Sequence, residues 1–217
     1  MRLGVLYEDN HLIAVYKPAG ILVQGDKTGE ANLMDEVKNF LKEKYNKPGK
    51  VFLGLLHRLD RPVSGIVLFA KTSKGASRLS QQFRNHVIEK IYHALVEGKP
   101  KREEGRLINY LKKDRQKNVV SVFDQDVPGS QKAILRYEVV KTGKNDTLLR
   151  ITLETGRPHQ IRVQLSHIGH PIVGDVKYGA SKSLPDKSIA LCATSLSFTT
   201  ATIKEKIEIK IEIPFNV

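Results

Sequence analysis

Apolar runs of strand length follow one another along this chain with little helical sequence between them. That succession constrains the fold more than any other feature. Residues 133–140 and 147–153 read as two long strands in direct succession. The segment 203–213 sets Ile207, Ile209, Ile211 and Ile213 against Glu208, Lys210 and Glu212, the period of a strand with one face buried. Residues 5–7 and 12–16 flank a turn at Asp9-Asn10, and 66–70 is an unbroken apolar run short enough for a buried strand. Residues 91–96 and 189–198 read the same way, with shorter pieces at 107–111 and 119–123.

Helical spacing appears in three places. Leu33, Met34, Val37, Phe40 and Leu41 recur at the period of a helix, with Asn32 as N-cap and Lys47-Pro48-Gly49 as the stop. Residues 73–86 place Ala76, Leu79 and Phe83 on one face. Ile161, Leu165 and Ile168 do so further on, before Gly169 and Pro171. Strands outnumber helices and are often adjacent in sequence. The expected architecture is therefore α+β, a mixed, mostly antiparallel central sheet with flanking helices, as one domain over residues 1–217.

Several classes are excluded. The one cysteine, Cys192, cannot form an intramolecular disulfide, and a cysteine-rich metal site has no ligands. No apolar run approaches the roughly 20 residues of a membrane span, and residues 1–10 lack a signal-peptide pattern. A cytoplasmic protein is expected. No Gly-x-Gly-x-x-Gly or Walker-type loop supports a nucleotide cofactor. The net charge is +13, concentrated in residues 42–61 (six basic, two acidic) and 99–117 (eight basic, three acidic). Such a surplus suits a polyanionic partner, because lysine and arginine displace counterions from phosphates. Nucleic acid fits better than a membrane surface, since no basic amphipathic helix stands out.

Four constellations could carry chemistry. His57-Arg58-Leu59-Asp60-Arg61-Pro62-Val63-Ser64-Gly65 precedes the apolar run 66–70. It reads either as an exposed salt-bridged loop, worth little to stability, or as a carboxylate kept ionised by flanking arginines. Thr155-Gly156-Arg157-Pro158-His159-Gln160-Ile161-Arg162 joins a strand to a helix, either an ordinary corner or an anion site at a helix N-terminus. Glu89-Lys90-Ile91-Tyr92 opens a strand, and Tyr92 is either a core aromatic or a stacking platform for a base. The fourth runs from Gly169 through His170-Pro171-Ile172-Val173-Gly174-Asp175 to Gly179. With His159 and His167 upstream it raises the question of a metal, but a convincing ligand set is missing, and no metal is expected.

Together these motifs resemble, in order, those of the RluA/RluD-type RNA pseudouridine synthases. The resemblance rests on Lys17-Pro18-Ala19-Gly20, His57-Arg58-Leu59-Asp60 with Ser64-Gly65, Lys90-Ile91-Tyr92, the Thr155–Arg162 run and His170–Asp175. Leu191-Cys192-Ala193 is similar to the family's last motif, where many members have histidine in place of Cys192. The family motifs begin almost at the first residue, so the chain resembles the short members that lack an extra RNA-binding domain. The resemblance implies the pseudouridine synthase fold, with an active-site cleft across the sheet. It implies isomerisation of specific uridines in structured rRNA or tRNA, a stem-loop being the cheapest place from which to flip a base. No cofactor is implied. Asp60 is implied as the essential carboxylate, attacking sugar or base or deprotonating the sugar. Arg162 is implied as its ion-pair partner, and Tyr92 as the aromatic that stacks on the uracil or serves as a base. Arg58, Arg61, Lys90, Arg157 and His159 are expected to contact RNA, and a monomer is expected. The alternative is a non-catalytic RNA-binding or assembly factor on the same fold. A hydrolase using Asp60 and His57 is a remote third, because no nucleophile motif such as Gly-x-Ser-x-Gly is present.

Overall fold

The computed structural model describes residues 3–26 and 29–217, so the first two residues of segment 1–10 lie outside it. The chain divides into two compact units, residues 1–89 with 193–211, and 90–192 with 212–217.

In the first unit, β1 (Gly4–Glu8) pairs antiparallel with β2 (Leu12–Lys17), which pairs antiparallel with β4 (Ser64–Ala70). The two-residue β3 (Gly54–Leu55) lies on the end of β4. Helices α1 (Leu33–Lys44) and α2 (Ser73–Arg84) belong to the same unit. Strand β10 (Leu191–Thr199), most of which lies here, pairs with β11 (Lys206–Lys210) through Ser195↔Lys210 to Thr199↔Lys206.

The register puts Leu12 and Ala14, Ile66, Leu68 and Ala70, and Leu196 and Phe198 on one face, where Leu79 of α2 packs against them. Ala76 and Phe83 flank that core, so the apolar face read from the sequence is the buried one. Leu79 has no exposed surface, and burying such a side chain contributes roughly 2 kcal/mol. Asn32 caps α1 as expected, its side chain accepting from the Asp35 amide at 3.1 Å.

The second unit contains most of β5 (Glu89–Glu97), with β6 (Glu104–Asp114), β7 (Val119–Phe123), β8 (Gln131–Thr142) and β9 (Asp146–Leu153), ordered β5-β9-β8-β6-β7 and antiparallel throughout. Helix α3 (Gln160–His167) packs on β6 and β7, with Val163 and the aromatic Tyr178 among Leu111, Val120 and Ala133. The mostly antiparallel α+β expectation holds.

Several elements differ from the sequence reading, among them β6, which spans Glu104–Asp114 where a short piece at 107–111 was expected. Strand β3 was not foreseen, since two residues have no periodicity to detect. The last strand is shorter than 203–213: its ladder ends at Lys210, and Ile203 is 74% exposed. One further backbone bond, from the Ile211 amide to the Thr194 carbonyl at 3.0 Å, follows the last ladder pair, and at the other end Ile203 lies in the connection between β10 and β11.

Candidate active site

Asp60 sits in a turn closed by the Val63 amide donating to the Asp60 carbonyl at 3.1 Å, immediately before β4. The turn is anchored from below by Lys17, at the end of β2. This lysine is wholly buried, and its Nζ donates to the carbonyls of Pro18 (3.0 Å), Ile21 (2.9 Å) and Arg61 (3.1 Å). Burial pulls the Lys17 pKa down to about 8; the Asp60 charge opposes that fall and the Arg61 charge adds to it. Arg61 makes the second anchor. Its Nε donates to the Gly20 carbonyl at 2.9 Å, its guanidinium holds Glu30 at 2.6 and 3.2 Å, and its own carbonyl accepts from the Gly20 amide. The Lys17–Gly20 and Asp60–Arg61 segments are thus stitched into one loop pair. Arg58 is exposed and Leu59 buried, so the segment alternates between water and core around the partly exposed Asp60.

Gly65 follows at φ +124°, and a Cβ there would collide with the backbone of Ala193. Gly65 is therefore a steric requirement of how β4 meets β10. His57 lies alongside β4. Its Nε2 accepts from the Leu68 amide at 3.0 Å, and its ring stacks on Phe83 at 5.0 Å between centroids. It braces β4.

The other expected site residues lie in the second unit. Tyr92 is on β5, paired with Ile151 of β9, and 9% exposed. Lys90, two residues earlier, is half-buried, and burial lowers its pKa. A Cβ built on Gly156 would lie 3.5 Å from its Nζ, so Lys90 and the Thr155–Arg157 turn are neighbours. That turn is organised by Gln160, which is 3% exposed. The Gln160 Oε1 accepts from the Arg157 amide (2.9 Å) and the Thr155 hydroxyl (2.8 Å), while its Nε2 donates to the Ile134 carbonyl. Arg157 donates from Nε to the Lys132 carbonyl at 3.0 Å. His159 is the N-cap of α3 in the left-handed region, φ +53°, with no side-chain cap bond. Such a conformation is uncommon outside glycine and costs energy that the surroundings must cover. Its Nδ1 meets the Tyr178 hydroxyl at 2.6 Å.

Arg162, in the first turn of α3, is 5% exposed. Its Nε and Nη2 donate to Asp175 at 2.6 and 2.8 Å. Sequence reasoning missed Lys17, Gln160 and Asp175 as organising residues, although all three lie within or beside the motifs above. The detectable signal was a polar residue inside an otherwise apolar stretch, as Lys17 is after Leu12-Ile13-Ala14-Val15-Tyr16.

The histidines that raised the question of a metal separate. His159 goes to Tyr178, His167 to Asp124 at 2.9 Å and His170 to the Glu97 carbonyl at 3.0 Å. Among the described residues no group of three or more His, Cys, Asp or Glu side chains is placed to hold a metal ion. None of the described helices is long and apolar enough to cross a membrane.

The fold defined by these elements is that of pseudouridylate synthases. The solved structure of Human RNA Pseudouridylate Synthase Domain Containing 4 matches with a TM-score of 0.81 at 22% identity, over 97% of this chain and 88% of that one. Human RNA Pseudouridylate Synthase Domain Containing 1 matches with a TM-score of 0.77 at 21% identity, over 99% and 85%. In sequence, the family model described as RNA pseudouridylate synthase matches residues 11–167, and the chain belongs to that family, in its RluA-type branch. An uncharacterized RNA pseudouridine synthase of Chlorobaculum parvum is 36% identical over 84% of the chain, a match spanning 58% of that relative's length. The tRNA pseudouridine synthase C of Haemophilus ducreyi is 36% identical over 96% of the chain and 90% of its own. The ribosomal large subunit pseudouridine synthase D of Zymomonas mobilis is 32% identical over 98% and 69%.

Proposed function

We propose that this protein isomerises specific uridines in structured tRNA or rRNA to pseudouridine. The observation that carries the reading is the family match over residues 11–167, which contains Asp60, Tyr92 and Arg162 in the motifs expected to hold them. In the reaction the C1′–N1 bond breaks and a C1′–C5 bond forms. N1 gains a proton and C5 loses one, so atoms balance without redox change or a consumed cofactor. Asp60 is the essential carboxylate. Its turn is pinned by Lys17 and Arg61, which suits a group that must meet a reacting atom in one geometry. Tyr92 stacks on the flipped uracil. Arg162 supplies the positive charge that keeps the reacting carboxylate ionised against desolvation. Arg58, Lys90, Arg157 and His159 contact the RNA around the flipped base. The protein acts in the cytoplasm as a monomer, with one catalytic domain over residues 1–217.

The test is a site-resolved pseudouridine map of unmodified tRNA and large-subunit rRNA transcripts incubated with the purified protein. Wild type is expected to convert one or a few uridines. Asp60→Asn is expected to convert none while binding RNA within about tenfold of wild type, a difference of ~1.4 kcal/mol. RNA binding with no conversion by wild type would support the assembly-factor reading instead. Tyr92→Phe separates the tyrosine's roles, since stacking survives loss of the hydroxyl and proton transfer does not.

A further inference from the structure

The segment from His170 to Gly179 is assigned nothing by the reaction above, and it lies beyond the family match at residues 11–167. Its central side chain, Asp175, is 2% exposed. Its two carboxylate oxygens take Arg162 in a bidentate grip, Nε to Oδ2 at 2.6 Å and Nη2 to Oδ1 at 2.8 Å. The guanidinium lies over the Tyr178 ring, 5.0 Å from its centroid. Tyr178 is fixed in turn: its hydroxyl accepts from the Val120 amide at 2.9 Å and meets His159 Nδ1 at 2.6 Å. The backbone bearing Asp175 is equally constrained. The Asp175 amide donates to Ile172, and its carbonyl accepts from the amides of Tyr178 and Ala180. Gly174 stands at φ +88°, where a Cβ would fall 2.8 Å from both Leu184 Cγ and the Ser188 carbonyl.

A buried ion pair is poor evidence for stability, because desolvating both charges offsets most of their attraction. A fork-on-fork pair with a ring beneath it does something else: it fixes the rotamer and the plane of the guanidinium. Nε and one hydrogen of Nη2 are committed to Asp175. Whatever else Arg162 holds is therefore reached through Nη1 and the second Nη2 hydrogen, in directions that Asp175 sets.

We propose that Asp175 is the positioning residue of Arg162, and that the His170–Gly179 segment is built to aim this guanidinium. The inference rests on the pseudouridine synthase reading of Arg162.

The experiment uses the full chain and the transcript that wild type modifies, tritiated at uracil C5 so that forming the C1′–C5 bond releases the label. Asp175→Glu keeps the charge but moves it by one methylene; Asp175→Asn keeps the shape but turns one acceptor into a donor facing Arg162. The Glu variant is expected to melt within about 3 °C of wild type and to bind RNA within about threefold, while kcat falls roughly 30-fold or more with KM within about threefold. Combined with Arg162→Lys, it should be no slower than Arg162→Lys alone by more than about threefold, because an orientation already lost is not lost twice.

Several results overturn the proposal: kcat within about threefold of wild type in the folded variants, a loss confined to KM, or effects that multiply in the double variant. Loss of the cooperative melt in both variants also overturns it, since Asp175 is then needed for folding alone. Wild type that releases no label on any transcript overturns the functional reading and this inference with it. Active wild type beside an undiminished Asp175→Glu overturns this inference alone.

Discussion

A lysine ammonium with no water around it must find its hydrogen-bond partners inside the protein, and Lys17 finds the carbonyls of Pro18, Ile21 and Arg61. Lys17→Met preserves the volume but leaves the Pro18 and Ile21 carbonyls without this donor, whereas the Arg61 carbonyl keeps the Gly20 amide. The expected cost at pH 7 is about 2–3 kcal/mol in urea unfolding. The pH dependence has a definite sign. Burial lowers the folded pKa of Lys17 to about 8 from its ordinary 10.5. Below pH 8 both folded and unfolded forms carry the proton and the burial penalty is fully present. Between pH 8 and 10.5 the unfolded form holds more proton, so wild type gains stability as pH rises. The gap between wild type and Lys17→Met is expected to widen from pH 8 to pH 10; a gap that narrows would show that Lys17 is not a depressed lysine. A sequence shows that Lys17 follows an apolar run but not that three carbonyls converge on it. One of these comes from a residue 44 positions away. The turn around Asp60 was legible because Asp60-Arg61-Pro62 precedes an apolar run. Asp175 was not, because the guanidinium it grips is 13 residues away with no periodicity linking them.

Elements were legible where their apolar residues repeat. Helix α2 buries the face that Ala76, Leu79 and Phe83 draw in the sequence, and β2 and β4 pair as neighbouring apolar runs should. Helix α3 was only partly legible. Its residues Gln160 to Leu165 are all buried, so Gln160, Arg162 and Gln164 sit inside where a one-faced pattern would put them in water. Each is held by long-range hydrogen bonds, such as Gln164 to the Asn109 side chain at 2.8 Å, that no local pattern reports. What ties separate elements together is also polar. Glu8 on β1 takes Lys71 beyond β4 at 2.5 Å, and Tyr45 and Lys44 at the end of α1 at 2.6 and 2.7 Å. Burial pushes the Glu8 pKa up, but the hydrogen bonds from Lys44, Lys71 and Tyr45 outweigh it and carry it down to about 2 from 4.5. A carboxyl depressed in the folded state stabilises above its unfolded pKa and loses that contribution as pH falls toward the folded one. Glu8→Gln is therefore expected to cost about 1–2 kcal/mol at pH 6, allowing for solvent screening at the exposed Lys44. More than half of that difference should be gone by pH 3. Equal differences at the two pH values, read by urea unfolding, would mean that the tether does not act through charge.

For the molecule as a whole, the net charge is +13, but the structure shows that its cations are not equivalent. Glu154 holds both Arg106 and Arg136, at 2.8 and 2.9 Å, and Glu138 faces Arg150 at 3.3 Å. The hydrogen bond from Arg106, opposed by burial and reinforced by the one from Arg136, depresses the Glu154 pKa to about 2, so this carboxylate stays ionised and offsets part of the charge of both arginines. The β6–β7 hairpin differs. Lys112, Lys113, Arg115 and Lys117 are exposed and form no ion pair among the described residues. The one acid beside them, Asp114, spends its carboxylate on the amides of Gln116 and Lys117 at 2.9 and 3.0 Å. Only cations not already neutralised release counterions from a phosphate backbone with full effect. The double variant Lys113→Gln with Lys117→Gln is therefore expected to weaken tRNA transcript binding by roughly tenfold near physiological salt. It should also flatten the slope of log affinity against log salt by about 1.5, or ~0.7–0.9 for each phosphate that is no longer neutralised. Arg106→Gln with Glu154→Gln removes one charge of each sign and is expected to leave the slope within about 0.3 of wild type. Filter binding across a salt series reads both. Equal slopes in the two double variants would place the RNA away from this hairpin, and the net charge would then act as a diffuse field around the molecule.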